Sequence, residues 1–272
     1  MRNKRMMFDT KKIVGRSFAG GFLLAKGELM TDARINAVIN FVCEGNRVAD
    51  VGADHGYLSI ELINSGRAMK VIATEKNLGP LSAAQKNISA AGLNNVIDTR
   101  HGDGLKILSA GEVDTICIAG MGGALITKIL DESPDVVKSA RQLVLQPMNA
   151  VEKVRTWLAE NDWAIDDEDL AEVSGVIYEI ISAVKNSAGN EAAQKLQREP
   201  QLSERKNFKR DSSPLVKKFL TQRLEKLQRV LDEMSKSPAA RSSEKFFATQ
   251  AEIKSLREKS NVTLHPVDAT YR

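Results

Sequence analysis

The chain has 272 residues, of which 42% are hydrophobic and 27% are charged, a balance typical of a soluble globular protein rather than of a disordered or fibrous one. No stretch approaches the roughly 18–20 consecutive apolar residues of a membrane-spanning helix. The two cysteines, Cys43 and Cys117, and the three histidines show no disulfide or metal-ligand spacing, which argues against a zinc site and favours a reducing compartment, the cytoplasm.

The formal charge of +4 is distributed unevenly along the chain. Residues 1–30 carry a net +5, residues 31–184 a net −9 and residues 185–272 a net +8. An acidic body between two basic flanks is typical of an enzyme that binds a polyanion, although a solvated helical surface gives the same pattern. Residues 1–29 are predicted to be a flexible basic extension, because their apolar stretch is short and contains two glycines.

Helix and strand patterns alternate between residues 30 and 185. A first helix is expected over 33–42, capped by Asp32 or Thr31. The predicted strands are 47–51, 70–74, 95–100, 113–118, 142–146, 163–173 and 176–184. The predicted helices that follow the first are 57–65, 79–91, 104–109, 122–139 and 150–161. This alternation predicts an α/β fold with a mostly parallel seven-stranded sheet, and the last two strands meet at Ser174-Gly175 as a hairpin at one edge.

The C-terminal third has a different pattern. Residues 186–213 are polar and are predicted to be a linker, and residues 261–272 a C-terminal tail. Between them a heptad seam is formed by leucines at alternating spacings of four and three, namely Leu220, Leu224, Leu227 and Leu231. Because Pro238 interrupts this pattern, residues 214–260 are expected to form an α-helical hairpin or short coiled coil. A dimerising zipper is the alternative.

The most informative motif is Val-Ala-Asp-Val-Gly-Ala-Asp-His-Gly-Tyr at residues 48–57. A strand turns on glycines that allow a ligand to approach the backbone, and the next strand ends at Glu75, where a carboxylate can accept both hydroxyls of a ribose. Since Asp54 replaces the second glycine of a dinucleotide motif, the pattern favours a nucleoside without a pyrophosphate over NAD. S-adenosylmethionine is the obvious candidate. The residues expected to hold it here are Asp50, Gly52, Asp54, Gly56, Tyr57 and Glu75.

Two further glycine-rich turns follow predicted strands. His-Gly-Asp-Gly at residues 101–104 presents Asp103, which can accept a hydrogen bond from an adenine amino group or cap a helix. Ala-Gly-Met-Gly-Gly at residues 119–123 follows a buried strand, where sheets of this class bind ligands. The cofactor residues predicted in these turns are Gly102, Asp103, Gly104, Ala119, Gly120 and Met121.

Together these motifs resemble those of the bacterial tRNA adenine-22 N1-methyltransferases. The resemblance includes Leu-Gln-Pro at 145–147, Arg-x-Trp-Leu at 155–158 and Tyr-Glu-Ile at 178–180, and it covers residues 31–184 closely and 210–258 weakly. It implies a class I (Rossmann-like) methyltransferase fold and methyl transfer from S-adenosylmethionine to N1 of adenine 22 in tRNA. It also implies a cytoplasmic enzyme that binds tRNA. From the residues themselves we expect no metal and no membrane association, and no obligate protein partner is evident.

The target base is expected beside the cofactor. Residues predicted to position it by hydrogen bonding and stacking are Asp54, His55, Gln146 and Tyr178. Residues predicted to contact the substrate more widely are Arg34, which matches a family arginine, with Gln146, Pro147, Tyr178 and Glu179. No general base is assigned, because N1 of adenine is a neutral lone-pair nucleophile. The Asn/Asp-Pro-Pro-Tyr motif of amino-group methyltransferases is absent, which favours attack by a ring nitrogen.

Three other interpretations remain open at the level of sequence. The chain is compatible with a methyltransferase that acts on another RNA site. It is also compatible with a small-molecule methyltransferase whose basic tail serves oligomerisation. A non-catalytic RNA-binding module with a vestigial nucleotide fold is the third, against which the near-complete set of cofactor residues argues.

Overall fold

The computed structural model describes residues 32–185 and 214–260, with side chains described as far as residue 258, and all of these belong to one compact unit. The predictions for residues 1–31, 186–213 and 261–272 lie outside the described residues. The strands are β1 (Asn46–Val51), β2 (Ala68–Glu75), β3 (Ile97–His101), β4 (Thr115–Met121), β5 (Gln142–Pro147), β6 (Trp163–Val173) and β7 (Val176–Lys185). The helices are α1 (Ala33–Phe41), α2 (Tyr57–Asn64), α3 (Leu78–Ala90), α4 (Gly123–Asp131), α5 (Pro134–Ser139), α6 (Val151–Glu160), α7 (Pro214–Met234), α8 (Pro238–Arg241) and α9 (Glu244–Ser260). Within these ranges, no helix has the length and apolar character needed to cross a bilayer.

The seven strands form one sheet in the order β3-β2-β1-β4-β5-β7-β6. The first five strands in this order pair in parallel, whereas β7 runs antiparallel to both of its neighbours. This confirms the predicted α/β fold with its antiparallel edge pair. The strand order reverses between β1 and β4, so the crossover helices diverge there and leave a crevice outside the carboxyl ends of these strands.

The central strands are buried because helices cover both faces of the sheet. All six residues of β5 and the first four of β4 are buried, the near-continuous apolar pattern of parallel strands. Their side chains form the main core with residues of α4 and α6, among them Ile116, Ile118, Leu143, Ile126 and Leu158. Burial of each such side chain stabilises the fold by about 1.5–3 kcal/mol. This rigid layer fixes the strand ends that carry the glycine-rich turns.

Two helix predictions were wrong. Residues 104–109 form successive turns instead of a helix, and Gly104 has a φ of +62°, which a right-handed helix does not accommodate. The predicted helix 122–139 is two helices, because Ser133 precedes Pro134 and leaves the helical region, with φ −141° and ψ 55°. The proline then starts α5 at a position where its missing N–H costs nothing.

The edge hairpin β6–β7 turns on two residues, as predicted. Ser174 and Gly175 have φ values of +50° and +83°, and two consecutive positive φ angles match the twist of a two-residue hairpin turn. Because β7 runs antiparallel, its first residues lie at the same edge of the sheet as the last residues of β5. Tyr178 thereby reaches the edge that carries the glycine-rich turns of β1 to β4.

The C-terminal helices form a hairpin that packs on itself. Leu224 of α7 and Ile253 and Leu256 of α9 are buried in one cluster, and a short connection containing α8 joins the two helices. The remaining seam leucines, Leu220, Leu227 and Leu231, pack against this cluster. The hairpin prediction is therefore confirmed, and the leucines that a dimerising zipper would use are engaged within the chain.

The hairpin also packs against the seven-stranded sheet. Val216 at the start of α7 is buried against Leu170 of β6, and Lys218 forms an ion pair with Glu172. Arg223 bridges Glu152 at the start of α6 and Glu252 of α9. These contacts fix the described helices relative to the sheet.

Truncation of Leu224 should loosen the hairpin. Leu224 has no exposed surface, so Leu224→Ala should cost about 2–5 kcal/mol through lost burial and a residual cavity. Hydrogen exchange should accelerate across 214–258 and remain slow in the sheet. Val230→Ala, a change at a residue of the same helix that is 36% exposed, is the matched control. Equal exchange rates in the two variants would contradict the hairpin core.

Candidate functional site

The sequence motifs converge on the carboxyl edge of the parallel sheet. In spatial order, the ends of β3, β2, β1 and β4 lie side by side at about 4.8 Å per strand. Each strand end carries one of the predicted motifs: Asp103 follows β3, Glu75 ends β2, the 52–56 turn follows β1, and the glycines at 120–123 end β4. The predicted cofactor residues are therefore brought together along one line across four strands.

The turn after β1 has two positions that require glycine. Gly52 has a φ of +75° and donates its N–H to the Thr74 carbonyl at 2.8 Å. A Cβ on Gly52 would lie 2.2 Å from Met121 Cε, so a side chain there would displace Met121 from the turn. Gly56, with a φ of +76°, occupies the N-cap of α2. The turn is consequently tight, and its glycines let neighbouring groups pack directly against the backbone.

Glu75 is held by the backbone of two neighbouring turns. Its Oε1 accepts the N–H of Asn77 at 2.8 Å and its Oε2 accepts the N–H of Asp54 at 3.3 Å. Asp54 makes this contact from a left-handed conformation, φ +49°, which costs a non-glycine residue on the order of 1 kcal/mol or more. Each carboxylate oxygen keeps a further lone pair, so Glu75 is oriented to accept two hydroxyl groups.

Asp50 lies beneath the turn. Its side chain is 3% exposed and accepts a hydrogen bond from Ser59 Oγ at 2.6 Å. Burial, with the nearby charge of Glu75 adding to it, raises the pKa of Asp50 to about 6. A positive charge near Asp50 would favour its ionised form. This end of the site thus fits a cation.

Asp103 lies at the opposite end of the line. Lys106 Nζ is 2.9 Å from one carboxylate oxygen and Lys76 Nζ is 3.2 Å from the other. Hydrogen bonds from Lys106 and then Lys76 lower the pKa of Asp103, which keeps it a hydrogen-bond acceptor. Position 102 needs a glycine, because a Cβ added there would lie 2.3 Å from Cγ2 of Ile107. The carboxylate is about half exposed and so remains accessible to an amino group.

A second cluster surrounds Arg34 on the β4–β5–β7 side of the edge. Arg34 Nη2 pairs with Asp32 Oδ2 at 2.7 Å, and Nη1 donates to Gln146 Oε1 at 3.1 Å. The guanidinium carbon lies 5.3 Å from the centroid of the Tyr178 ring, within the range of a cation–π interaction. Asp32 also caps α1 by accepting the N–H groups of Arg34 and Ile35. Arg34, Gln146 and Tyr178 are therefore brought together, as the sequence predicted.

Gln146 and Pro147 are buried, so neither presents an exposed side chain for the substrate contact that the sequence predicted. Gln146 has no exposed surface. Its Oε1 accepts from Arg34 and from the N–H of Gly120 at 3.0 Å, and its Nε2 donates to the Pro147 carbonyl at 3.0 Å. Pro147 is buried at the end of β5. Gln146 thus supports the site from below by joining α1 to the turn after β4.

Glu179 lies on the other face of the sheet, which also corrects its predicted substrate contact. It is buried and accepts a hydrogen bond from Arg155 Nη2 at 2.8 Å, while Arg155 Nη1 lies 2.5 Å from Glu168 Oε1. Side chains alternate along a strand, so Tyr178 and Glu179 must point in opposite directions. Tyr178 therefore lies on the same face as Arg34, and Glu179 does not.

His55 and Tyr57 form an exposed aromatic pair at the start of α2. Their rings stack with centroids 5.6 Å apart and 17° between planes. The His55 side chain is 52% exposed, and its Nε2 is 3.9 Å from Asp54 Oδ2. The pair borders the β1 turn, so both residues are at the site, with ring faces suited to stacking.

Some residues at this edge were missed by sequence reasoning. Asp32 was predicted only as a helix cap. Its position two residues before Arg34 was the feature of the sequence that could have predicted the ion pair between them. Asn77 contributes a backbone N–H, which no side-chain pattern reveals. Asn149 lies against Gly122, with Oδ1 3.1 Å from the position of a Cβ there, and this proximity arises only from the packing of two loops.

The donor set fits S-adenosylmethionine. Asp103 suits an adenine amino group, Glu75 suits the two hydroxyls of a ribose, and the glycine turns with Asp50 suit a cationic methionine end. The three groups follow the strand order, so one elongated ligand can meet all of them without crossing the sheet.

Comparisons with known proteins agree with this geometry. Residues 31–181 match the family model described as a methyltransferase domain. The chain is 38% identical over 156 residues to the tRNA (adenine(22)-N(1))-methyltransferase of Bacillus subtilis, a match that spans 57% of this chain and 66% of that protein.

Solved structures are similar over a larger share of the chain. One is a Streptococcus pneumoniae putative tRNA (m1A22) methyltransferase in complex with S-adenosyl-L-methionine, with 31% identity and a TM-score of 0.69, covering 85% of this chain and 100% of that one. Another is the B. subtilis m1A22 tRNA methyltransferase, with 29% identity and a TM-score of 0.71, covering 86% and 100%. With its motifs placed at the strand ends as described, the chain belongs to the tRNA (adenine-22-N1)-methyltransferase family, whose members use S-adenosylmethionine.

Proposed function

We propose that this protein transfers the methyl group of S-adenosylmethionine to N1 of adenine 22 in tRNA. The observation that carries the proposal is the division of the site at the crevice between β1 and β4. Residues suited to the methyl donor occupy the β3-β2-β1 side, and the Arg34–Tyr178 cluster occupies the β5–β7 side. A donor and an acceptor bound to the two sides meet above the end of β4.

The cofactor is assigned to the residues of the β1–β4 turns. We assign Glu75 to the ribose, Asp103 to the adenine amino group, and the Gly52 and Gly120 backbones with Asp50 to the methionine end. When bound, S-adenosylmethionine supplies a methyl group already activated by its sulfonium charge. The protein's own contribution is to hold the donor rigidly, since well-oriented reactants reach effective molarities of about 10⁵–10⁸ M.

The acceptor needs positioning more than proton transfer. N1 of adenine carries a lone pair and no hydrogen, so no base has to remove a proton before attack. We assign Tyr178 and the His55–Tyr57 pair to stacking against the exposed nucleotide and its neighbours, and Arg34 to the backbone of the RNA. Because N1 belongs to the Watson–Crick edge, a paired target must be opened at a cost of about a few kcal/mol.

The C-terminal hairpin is assigned to the tRNA backbone. Residues 214–260 carry a net +5, whereas the methyltransferase body is acidic. Its lysines and arginines include several that are exposed, among them Lys217, Lys226, Arg229, Lys245 and Lys254. The contacts of Val216 with β6 and of Arg223 with Glu152 of α6 hold this basic surface at a set distance from the site. We place the reaction in the cytoplasm, with tRNA and S-adenosylmethionine.

Incubation with labelled S-adenosylmethionine and tRNA tests the assignment directly. We expect 1-methyladenosine at position 22 and no label in a transcript that carries guanine there, because guanine N1 bears a hydrogen. Nucleoside mapping by mass spectrometry identifies the product. Label on another base, or transfer to a small molecule without tRNA, would refute the proposed target.

The Glu75→Gln variant should bind S-adenosylmethionine about 10- to 100-fold more weakly. The amide's NH2 group would oppose one of the two backbone N–H groups that now face the carboxylate, leaving a buried donor unpaired. Isothermal titration with S-adenosylhomocysteine measures the affinity. Glu160→Gln, an exposed glutamate at the end of α6, is the control, and identical affinities would remove Glu75 from the cofactor site.

Removing two exposed charges from α7 should weaken tRNA binding in a salt-dependent manner. The double variant Lys226→Ala/Arg229→Ala should reduce the slope of log affinity against log salt by about 1.4–1.8, since each phosphate contact contributes about 0.7–0.9. Filter binding at several salt concentrations measures the slope. Lys70→Ala/Lys86→Ala, which removes two exposed charges of the sheet body, should leave it unchanged. An unaltered slope in the α7 variant would argue against RNA binding by this surface.

A further inference from the structure

Methylation of N1 constrains how an enzyme can recognise adenine. N1 must face the methyl donor, so hydrogen bonds that identify the base have to use other atoms. The remaining recognisable edge presents the N6 amino group and the N7 acceptor, and a side-chain amide pairs with both: its oxygen accepts from N6 and its NH2 donates to N7. An asparagine or glutamine beside the end of β4 is therefore the residue type to look for.

Gln146 cannot supply this amide. Both of its polar atoms are occupied by Arg34, Gly120 and Pro147, and its side chain is fully buried. Its hydrogen bonds would have to break before it could meet a base, which leaves buried groups unpaired at about 1–3 kcal/mol each.

Asn149 has the opposite properties. It is exposed, and within residues 32–185 and 214–260 its side-chain amide has no hydrogen-bond partner. Its Oδ1 lies 3.1 Å, and its Cγ and Nδ2 3.7 Å, from the position of a Cβ on Gly122. The amide thus lies against the glycine turn that ends β4, and the glycine preserves the space it occupies.

The loop that carries Asn149 is fixed by its backbone. Met148 donates its N–H to the Met121 carbonyl at 2.8 Å, and Gly123 donates its N–H to the Asn149 carbonyl at 3.0 Å. The next residue, Ala150, has a φ of +49° at the start of α6. Met121 in turn contacts the cofactor turn at Gly52. The backbone that carries the free amide is therefore fixed beside the glycine turn that ends β4.

We infer that Asn149 reads the target adenine, its Oδ1 accepting from N6 and its Nδ2 donating to N7, with N1 directed at the methyl donor. This inference rests on the proposed function and adds the residue that selects adenine. A purely structural role for the Asn149 side chain is disfavoured, because the loop is held by backbone groups that any residue supplies.

A cycle of protein and substrate changes tests the contact. The substrates are tRNA with adenine 22 and tRNA with 7-deazaadenine at that position, in which N7 is replaced by C–H. The proteins are the native chain, Asn149→Ala and Asn149→Asp, with Asn95→Ala, an exposed asparagine in the loop before β3, as the matched control. The measured quantities are kcat/KM for each tRNA and the affinity for S-adenosylhomocysteine.

For the native protein and the Asn95→Ala control, 7-deazaadenine should lower kcat/KM about 5- to 20-fold, part of the discrimination that a bidentate pair provides. Asn149→Ala should lower kcat/KM for normal tRNA about 10- to 100-fold and make the two tRNAs equivalent. Asn149→Asp keeps the acceptor for N6 but opposes the N7 lone pair, so it should prefer the 7-deaza substrate. Cofactor affinity should stay unchanged in all variants.

The outcomes separate this inference from the function on which it rests. If the native protein methylates adenine 22 and the 7-deaza penalty is the same in Asn149→Ala as in the native chain, Asn149 does not contact N7 and the inference fails alone. If the native protein does not methylate adenine 22, the proposed function fails, and the inference with it.

Discussion

The carboxylate of Glu75 joins the two turns that define the cofactor side of the site. One oxygen is held by the turn that leads into α3 and the other by the turn after β1. These turns follow β1 and β2, which are parallel neighbours in the sheet. The chain brings them side by side by crossing over through α2. The geometry of a single side chain therefore depends on the register of β1 against β2, and the buried core keeps that register fixed. Asp54 donates its N–H to Glu75 from a left-handed backbone conformation, so the same interaction offsets part of the strain at that residue.

The sequence predicted the sheet, the edge hairpin and the glycine turns because these depend on local patterns. Glycines such as Gly52 and Gly56 are needed where φ is positive, and buried parallel strands require apolar runs. Tyr178 and Glu179 show the limit of this reasoning. Both were predicted to contact the substrate, but adjacent residues of a strand point to opposite faces of the sheet. Only the folded structure shows that Tyr178 is the one that lies beside Arg34. Gln146 was placed in the correct neighbourhood, yet its burial by α1 depends on a helix more than 100 residues earlier in the chain. The turns at 104–109 could not be separated from a short helix by periodicity alone.

Glu179 instead contributes to a buried charge cluster that connects the sheet to the C-terminal hairpin. Arg155 lies between Glu168 and Glu179, and Arg223 of α7 lies between Glu152 and Glu252, with the charge of Glu179 also acting on it. Removing Glu168 or Glu179 from the buried pairs with Arg155 typically costs about 3–5 kcal/mol, because the remaining charge is left without compensation. The ion pair that attaches the hairpin, Arg223 with Glu152, is partly exposed and so contributes less, about 0–1 kcal/mol, beside the apolar contact at Val216.

Gln146 Oε1 accepts hydrogen bonds from two directions, from the Arg34 guanidinium and from the Gly120 backbone. One oxygen atom is thereby shared between α1, which carries Arg34, and the glycine turn that ends β4. Because Gln146 is fully buried, moving either donor away leaves a buried acceptor with one hydrogen bond fewer. The position of the helix and the position of the turn therefore depend on the same atom.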